Sequence, residues 1–203
     1  MNTQVVAEQE SAEGDPVSMP LDSRTFRQIV GQFPTGVSVV AAEFNGEIHG
    51  MTVNSLTSLS LNPMMMLVCV DKRAKMSEFM QQAHGFSINV LREEQEALST
   101  YFAGGWKQPA APAFKFIEWT GGPRLEGCLA ALGCRTQKLI EAGDHWIVLG
   151  EIIALHVGIG PRSPLIFHGG MYRRIDVRDS KPAPELDLGK TDVRVFYDPW
   201  DEA

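Results

Sequence analysis

Neutral polar side chains are concentrated in the stretch that follows Gly50, between two apolar runs. Six of them fall within nine residues, namely Thr52, Asn54, Ser55, Thr57, Ser58 and Ser60. Polar side chains of an ordinary antiparallel strand alternate toward solvent, so one interpretation is a half-exposed strand and a Ser/Thr-rich loop. The other is a wall of neutral donors and acceptors that faces a planar heterocycle with carbonyls and ring nitrogens along one edge.

A basic segment after the next apolar run offers a second kind of chemistry. Asp71, Lys72, Arg73 and Lys75 stand where a predicted strand gives way to a predicted helix. The first turn of a helix has free N–H groups, and basic side chains beside them complete a binding site for phosphate. The alternative is a solvated helix terminus whose charged side chains only face water.

One histidine is placed to contact a ligand. His145 follows the Gly143–Asp144 turn at the head of a predicted strand, where its side chain can overhang the mouth of a pocket. The other four histidines are scattered, and no HExxH motif or Cys/His pattern with metal-ligand spacing occurs. We therefore expect no metal site, and a structural or merely exposed role is the alternative for His145.

Composition and absent motifs argue against several other functions. The formal charge is −7, from 18 basic and 25 acidic residues, and no basic stripe indicates nucleic acid. GxSxG and GxxxxGK(S/T) are absent, and Gly158–Ser163, which only begins like a dinucleotide fingerprint, predicts a turn. Cys69, Cys128 and Cys134 lack CxxC spacing and are expected to be buried. With no signal peptide and no apolar run of membrane-spanning length, we expect a soluble cytoplasmic protein without a membrane partner.

A helix precedes the polar stretch, and a β meander includes it. Asp22 and Ser23 are good N-cap residues, Pro34 must end the helix, and its apolar face is formed by Phe26, Ile29, Val30 and Phe33. Strands rich in β-branched residues follow from residue 36, with a strong hairpin signal at Asn45–Gly46.

More strands and a further pair of helices follow the polar stretch. Apolar runs predict strands at 64–71 and 85–91 with a helix between them, and a second helix is predicted over 92–102. Two longer strands frame Gly143–Asp144, and Gly150 is a candidate bulge in the second of them.

The chain divides into three parts on composition. Residues 1–19 are acidic and polar and predict a disordered leader, residues 20–178 form the predicted folded domain, and residues 179–203 are a charged C-terminal extension. Strands outnumber helices without regular βαβα alternation, so we predict a mainly β fold with helices, of the α+β class. The long ordered loop predicted over 106–122, with two prolines, is of a kind that is often functional.

Five motifs occur in the order and spacing of a known family. They are PTGV at 34–37, GMTVNSLTSLSLNP at 50–63, the strand ending at 71–73, GDH at 143–145 and PLIFHGGMYRRI at 164–175. Together they resemble the short-chain flavin reductases, the reductase components of two-component monooxygenases. The resemblance covers residues 22–176 and implies an FMN-binding split β-barrel.

The resemblance also implies which residues form the site. The flavin ring and ribityl chain would be lined by Thr35, Thr52, Val53, Asn54 and Ser55. The phosphate arm would lie near Ser58, Ser60, Asp71, Lys72, Arg73 and Lys75. His145 would contact the nicotinamide, with His168 and Tyr172 near the same cleft, although ordinary barrel packing is the alternative for these two. Phe102 would close over the flavin or contact a neighbouring subunit.

The implied activity is that of an NAD(P)H-dependent flavin reductase. Hydride would pass from NADH, or NADPH, to FMN, or FAD, and the reduced flavin would supply a separate oxygenase component that acts on an aromatic substrate. A homodimer with the site near the subunit interface is also implied. Two functions remain as alternatives, a flavin-binding module without turnover and a flavoprotein whose tightly bound FMN reduces an organic substrate directly.

Overall fold

The computed structural model describes residues 21–160 and 163–175. The predicted leader (1–19) and the predicted C-terminal extension (179–203) lie outside the described residues. Within them the chain is mainly antiparallel β structure with three short helices, which confirms the predicted class of fold. None of these helices is both long enough and apolar enough to cross a membrane.

The three helices lie where the sequence pattern predicts them. They are α1 (Ser23–Val30), α2 (Lys75–Gln82) and α3 (Glu96–Phe102). A 3-10 turn over Glu93–Gln95 leads into α3. The carboxylate of Asp22 accepts hydrogen bonds from the backbone N–H groups of Arg24 (2.8 Å) and Thr25 (3.0 Å), so Asp22 is the N-cap that begins α1.

The strands form one large sheet and two small ones. In chain order they are β1 (Thr35–Gly36), β2 (Ser38–Phe44), β3 (Glu47–Val53), β4 (Leu56–Leu61), β5 (Met64–Asp71), β6 (Gly85–Val90), β7 (Phe116–Ile117), β8 (Arg124–Leu125), β9 (Ala130–Ala142), β10 (His145–Val157), β11 (Ile166–His168) and β12 (Met171–Arg173). The large antiparallel sheet has the order β3-β2-β6-β9-β10-β5-β4. A second sheet has the order β1-β11-β12, and β7 pairs with β8.

The two edge strands of the large sheet are consecutive in the chain. Only Asn54 and Ser55 connect β3 to β4, although these strands stand at opposite ends of the sheet order. Such a short connection spans on the order of 10 Å, so the sheet must curl until its two edges meet there. We call the line between β3 and β4 the seam. The two strands do not pair along it in the described structure, and the barrel is therefore split.

Two core clusters lie on opposite faces of the sheet. The inner core packs α2 against the strands and includes Val40, Met76, Met80, Phe86 and Val148. The outer core packs α3 and the β7–β8 pair against the strands and includes Val39, Leu91, Leu98 and Leu125. Successive residues of a strand point to opposite faces, as Val39 and Val40 do here.

The structure confirms the predicted turn and the predicted bulge. Asn45 and Gly46 join β2 to β3 with φ values of 53° and 77°, the left-handed values of a type I′ turn. At Gly150, β10 shifts its register against β9. A Cβ atom at Gly150 would stand 2.6 Å from the ring of Phe86, so only glycine lets the strands and the inner core approach this closely.

Helix α1 lies on the surface with its apolar stripe uncovered. We define this stripe as Phe26, Ile29, Val30 and Phe33. Phe26 is 63% exposed, Ile29 59% and Phe33 72%, while the one buried residue of α1 is Thr25. No side chain within residues 21–160 and 163–175 covers this compact apolar surface. Exposed apolar surfaces of this kind mark interaction sites.

Candidate functional site

Strand pairing brings Thr35 and the β3–β4 connection to the same end of the large sheet. Ser38, the first residue of β2, pairs with Val53, the last residue of β3. Thr35 precedes Ser38 by three residues, and Asn54 and Ser55 follow Val53. The PTGV turn and the polar stretch after Gly50 are therefore neighbours in the fold, as the sequence motifs predict.

Ser55 of this connection is hydrogen-bonded to the last part of β5, which in turn pairs with the first residue of β10. The N–H of Cys69 donates to the carbonyl of Ser55 (3.4 Å), and the Ser55 hydroxyl donates to the carbonyl of Cys69 (3.2 Å). Two residues further along β5, Asp71 pairs with His145. We call the region around the β3–β4 connection the polar end; it includes Thr35, Asn54, Ser55, Asp71 and His145.

Thr35 contributes a buried hydroxyl that has no partner among the described residues. Its Oγ1 is shielded from solvent and makes no hydrogen bond. Strand β1 fixes the position of Thr35, because Thr35 pairs with Phe167 and Gly36 with Ile166. An unsatisfied buried hydroxyl costs about 1–3 kcal/mol, and a ligand atom at this point would satisfy it.

The β3–β4 connection presents neutral polar groups to solvent. Asn54 and Ser55 are both exposed, so their side chains and backbone can reach a bound ligand. Val53 is different, because its side chain is buried in the inner core and only its backbone faces the seam. The polar end is thus lined by amide and hydroxyl groups on one side of the seam.

The basic residues predicted to hold phosphate are all ion-paired. Lys72 Nζ lies 2.5 Å from Glu141 Oε1 and 2.6 Å from the carbonyl of Gly143. Arg73 forms a 2.7 Å ion pair with Asp71, and its hydrogen bonds hold the pKa of that carboxyl well below the usual range. These pairs cancel much of the positive charge that the sequence suggests at the strand end.

Two residues of the predicted phosphate arm, Ser58 and Ser60, stand apart from Asp71, and a third, Lys75, is turned to an acidic partner on β3. Lys75 is ion-paired with Glu47, at the opposite end of β3 from Val53. On β4, Ser58 pairs with Met66 and Ser60 with Met65, and Met66 precedes Asp71 by five residues, about 17 Å along the strand. The structure therefore does not gather the predicted phosphate arm into one cluster.

His145 is held by the residue before it. Its Nδ1 lies 2.7 Å from Oδ1 of Asp144, and the same contact lowers the pKa of the Asp144 carboxyl. The His145 side chain is 42% exposed. Since Nδ1 is engaged, Nε2 is the ring nitrogen that has no partner among the described residues and is available to a ligand.

Hydrogen bonds link Thr52, Ser99 and Tyr172 on the outer face of the sheet. The Thr52 hydroxyl donates to the carbonyl of Ser99 (2.7 Å), and Ser99 Oγ lies 2.8 Å from the Tyr172 hydroxyl. Ser99 is fully buried in α3. The sequence analysis missed it, because a single serine within a helix carries no signal of its own. Thr52 and Tyr172 thus tie α3 between β3 and β12.

Phe102 and His168 also lie on elements that surround the outer core. Phe102 packs edge-on against Tyr101 and Phe114, and a Cβ at Gly50 would come within 2.8 Å of its ring. Phe102 is therefore packed against β3 within its own chain. His168 is half-buried in β11, next to the residue that pairs with Thr35.

The split barrel with its polar end can be compared with families of known proteins. Residues 30–176 match the family described as the flavin reductase like domain. The chain belongs to this family.

Several relatives are similar over most of their length. The chain is 36% identical over 176 residues to an NADH-dependent FAD reductase of Streptomyces globisporus. The aligned region covers 84% of this chain and 92% of that protein. It is 38% identical over 151 residues to the reductase component of 4-hydroxyphenylacetate 3-monooxygenase of Thermus thermophilus, covering 74% and 95%. Among solved structures, flavin reductase PheA2 superposes with a TM-score of 0.72 at 37% identity, covering 77% and 99%. This similarity confirms the split-barrel fold.

The unpartnered hydroxyl of Thr35 leads to a prediction about ligand binding. In the variant Thr35→Val we expect the dissociation constant for FMN to rise about 3- to 10-fold, because one neutral hydrogen bond is lost. The free energy of unfolding should stay the same or rise, since the hydroxyl has no protein partner to lose. Fluorescence titration with FMN and urea denaturation measure the two quantities.

Thr136→Val is the matched control for this prediction. Thr136 lies in β9 and also has a buried Oγ1 without a partner among the described residues. The Thr136→Val variant should have the same stability as Thr35→Val, and it should bind FMN as tightly as the wild type does. Equal FMN affinities for the two variants would show that the Thr35 hydroxyl does not contact flavin.

Proposed function

We propose that this protein is an NAD(P)H-dependent flavin reductase that transfers hydride to FMN or FAD and supplies reduced flavin to a separate oxygenase component. The observation that carries the proposal is the polar end of the barrel in a member of the flavin reductase like family. A buried unpartnered hydroxyl, exposed amide and hydroxyl groups and a histidine with one free ring nitrogen meet there.

The residues of the polar end suit an isoalloxazine ring. The ring carries carbonyls and nitrogens along one edge, and neutral donors satisfy these without a large charge. Thr35 would donate its unpartnered hydroxyl, and the Asn54–Ser55 connection would offer side-chain and backbone groups beside it. Thr52 would act indirectly, since its hydroxyl is already bonded to α3 and holds the end of β3 in place.

The task of this chain in the reaction is placement. The two nucleotides supply the chemistry when bound, a hydride transfer from the nicotinamide C4 to the flavin N5. The polar end would hold the flavin ring with one face open, and His145 would position the nicotinamide with Nε2 while Asp144 fixes its other nitrogen. Such a transfer needs no nucleophile and no acid–base pair from the protein.

The relatives support finer choices of nucleotide and partner. One is an NADH-dependent FAD reductase, and another is the reductase component of a monooxygenase whose named substrate is aromatic. We therefore propose NADH as the donor, FAD as well as FMN as acceptors, and an oxygenase that acts on an aromatic substrate. The protein would work in the cytoplasm, where reduced nicotinamide nucleotides are available.

The apolar stripe of α1 supports a homodimer. An eight-residue helix has little stability of its own, and α1 buries only Thr25 among the described residues. Packing of Phe26, Ile29, Val30 and Phe33 against a second copy of the chain would supply the missing burial. Because α1 runs into β1, a partner on this stripe would also approach Thr35 and the polar end.

The proposed activity predicts NADH oxidation that depends on added flavin. Absorbance at the nicotinamide band should fall only when NADH and FMN or FAD are both present, and the dialysed protein should be colourless. Binding of flavin without NADH loss would support a flavin-binding module instead. Protein that stays yellow after dialysis would indicate a flavoprotein with its own organic substrate.

His145 gives the same assay a residue-level prediction. In His145→Asn we expect KM for NADH to rise about 3- to 10-fold with little change in KM for flavin, because one ligand hydrogen bond is weakened. His49→Asn is the matched control, since His49 lies in β3 against Phe79, away from the polar end. An unchanged KM for NADH in His145→Asn would contradict the proposed nicotinamide contact.

The proposed homodimer predicts the effect of a charge in the apolar stripe. The wild type should sediment at about twice the 22.4 kDa of one chain. Ile29→Glu should raise the dimer dissociation constant at least about 100-fold, because it buries an unpaired carboxylate in the interface. Ile159→Glu is the control, since Ile159 is 99% exposed in the turn after β10. A dimeric Ile29→Glu protein would show that the stripe is not the interface.

A further inference from the structure

Helix α1 carries a second, polar face opposite its apolar stripe. Arg24, Arg27, Gln28 and Gly31 follow one another at intervals of three, one and three residues, which puts them on one side of the helix. This face looks toward the turn between β11 and β12. Together with Gly169 and Gly170 of that turn, it encloses a cavity of about 330 Å³.

The turn opposite the arginines is held rigidly. Gly169 and Gly170 have φ values of 60° and 78°, so the hairpin makes the tight left-handed turn that favours glycine. The N–H of Gly169 donates to the carbonyl of Gly31 at the end of α1 (2.8 Å). A Cβ at either glycine would meet nothing within 4 Å, so the cavity beside the turn is open.

The two arginines of this cavity differ from the basic residues at the end of β5. Neither Arg24 nor Arg27 forms an ion pair with residues 21–160 or 163–175, whereas Lys72 and Arg73 are both paired. The carboxylate of Asp22 is the N-cap of α1 and accepts from Thr25 and from the helix backbone. Two guanidinium groups facing an open cavity are suited to phosphate, whose oxygens match their planar donors.

The cavity adjoins the proposed site for the nicotinamide and flavin rings. Gly169 follows His168 directly, and the residue before His168 pairs with Thr35. The end of β5, where the flavin phosphate is predicted, adjoins Asn54–Ser55 and not the β11–β12 turn. A dinucleotide whose ring lies at Thr35 can therefore extend toward β11 and place its phosphates at the arginines.

From this geometry we propose that the cavity between α1 and the β11–β12 turn binds the pyrophosphate of the nicotinamide dinucleotide, with Arg24 and Arg27 as its cationic ligands. The inference rests on the proposed function and adds to it the site for the substrate's charged part. Gln28 and the backbone of the glycine turn line the rest of the cavity.

The test compares two hydride donors on the full-length double variant R24Q/R27Q with FMN as acceptor. NADH carries the pyrophosphate, whereas 1-benzyl-1,4-dihydronicotinamide has the same reactive ring and no phosphate. We expect KM for NADH to rise about 10- to 50-fold in the variant, since two charge-assisted contacts are lost. The rate with the benzyl donor should stay within about two-fold of the wild type. ADP-ribose should inhibit the variant more weakly by the same factor as NADH.

A second double variant controls for the loss of two positive charges. Lys115 and Lys138 are exposed on other parts of the surface, and K115Q/K138Q should leave KM for both donors unchanged. R24K/R27K should recover part of the NADH affinity, because lysine keeps the charge without the planar donors. Circular dichroism and sedimentation of R24Q/R27Q should match the wild type.

Three results would overturn the inference. Equal loss of activity with both donors would show that the arginines support the fold or the ring site. A weaker affinity for FMN relative to riboflavin, with NADH unaffected, would assign the cavity to the flavin phosphate. Wild-type protein that oxidises neither donor in the presence of flavin would overturn the proposed function itself, and the inference with it.

Discussion

The short connection between β3 and β4 is the constraint on which the rest of the structure depends. A seven-stranded sheet whose two edge strands are linked by Asn54 and Ser55 has to curl, and its edges have to meet at that link. The curl creates the inside of the barrel that α2 fills, and it leaves a seam without strand pairing. Backbone groups at the closed end of this seam are the ones that a flat polar ligand can reach.

The same constraint explains why residues far apart in the sequence meet at the polar end. Thr35 precedes β2, whose first residue pairs with the last residue of β3. His145 pairs with Asp71 of β5, two residues beyond the Cys69 that is hydrogen-bonded to Ser55. The register is fixed by the burial of one face of each strand, because a slip of one residue would exchange the inner and outer cores. Packing at Val39 and Val40 thereby positions side chains that take no part in the core.

The sequence was sufficient to predict the helices and strands, because local chemistry determines them. Asp22 begins α1, Asn45–Gly46 adopts a left-handed turn, and Gly150 lies at a register shift, each for a reason that the residue type itself supplies. The placement of Thr35 beside the polar stretch could be inferred only from the family resemblance. Its unpartnered hydroxyl depends on what surrounds it and could not be predicted from the sequence.

Contacts between side chains that are distant in the chain could not be predicted from the sequence. Lys72, Arg73 and Lys75 look like a basic cluster in the chain, but each has an acidic partner, and two of those partners come from other strands. The pairing of Ser99 with Thr52 and Tyr172 needs three elements to meet. The exposure of the α1 stripe was equally hidden, since an amphipathic pattern predicts an apolar face without saying which molecule covers it.

These features give a consistent physical picture of a site that works by position. Neutral groups surround the proposed place of the flavin ring. The cavity between α1 and the β11–β12 turn is lined by two arginines that form no ion pair with residues 21–160 or 163–175. In the proposed function, a neutral cradle would bind the ring with moderate affinity, which suits a flavin that must leave in its reduced form. Charged contacts away from the ring can then supply binding energy for the donor without holding the flavin in place.

The central claim is that Thr35 and the Asn54–Ser55 connection form the cradle of the flavin ring. A crystal structure of the full-length protein soaked with FMN tests it most directly. We expect the isoalloxazine ring at the closed end of the seam, with a ring atom within hydrogen-bond distance of Thr35 Oγ1. A ring bound elsewhere, with that hydroxyl still unpartnered and Asn54–Ser55 facing only water, would contradict it.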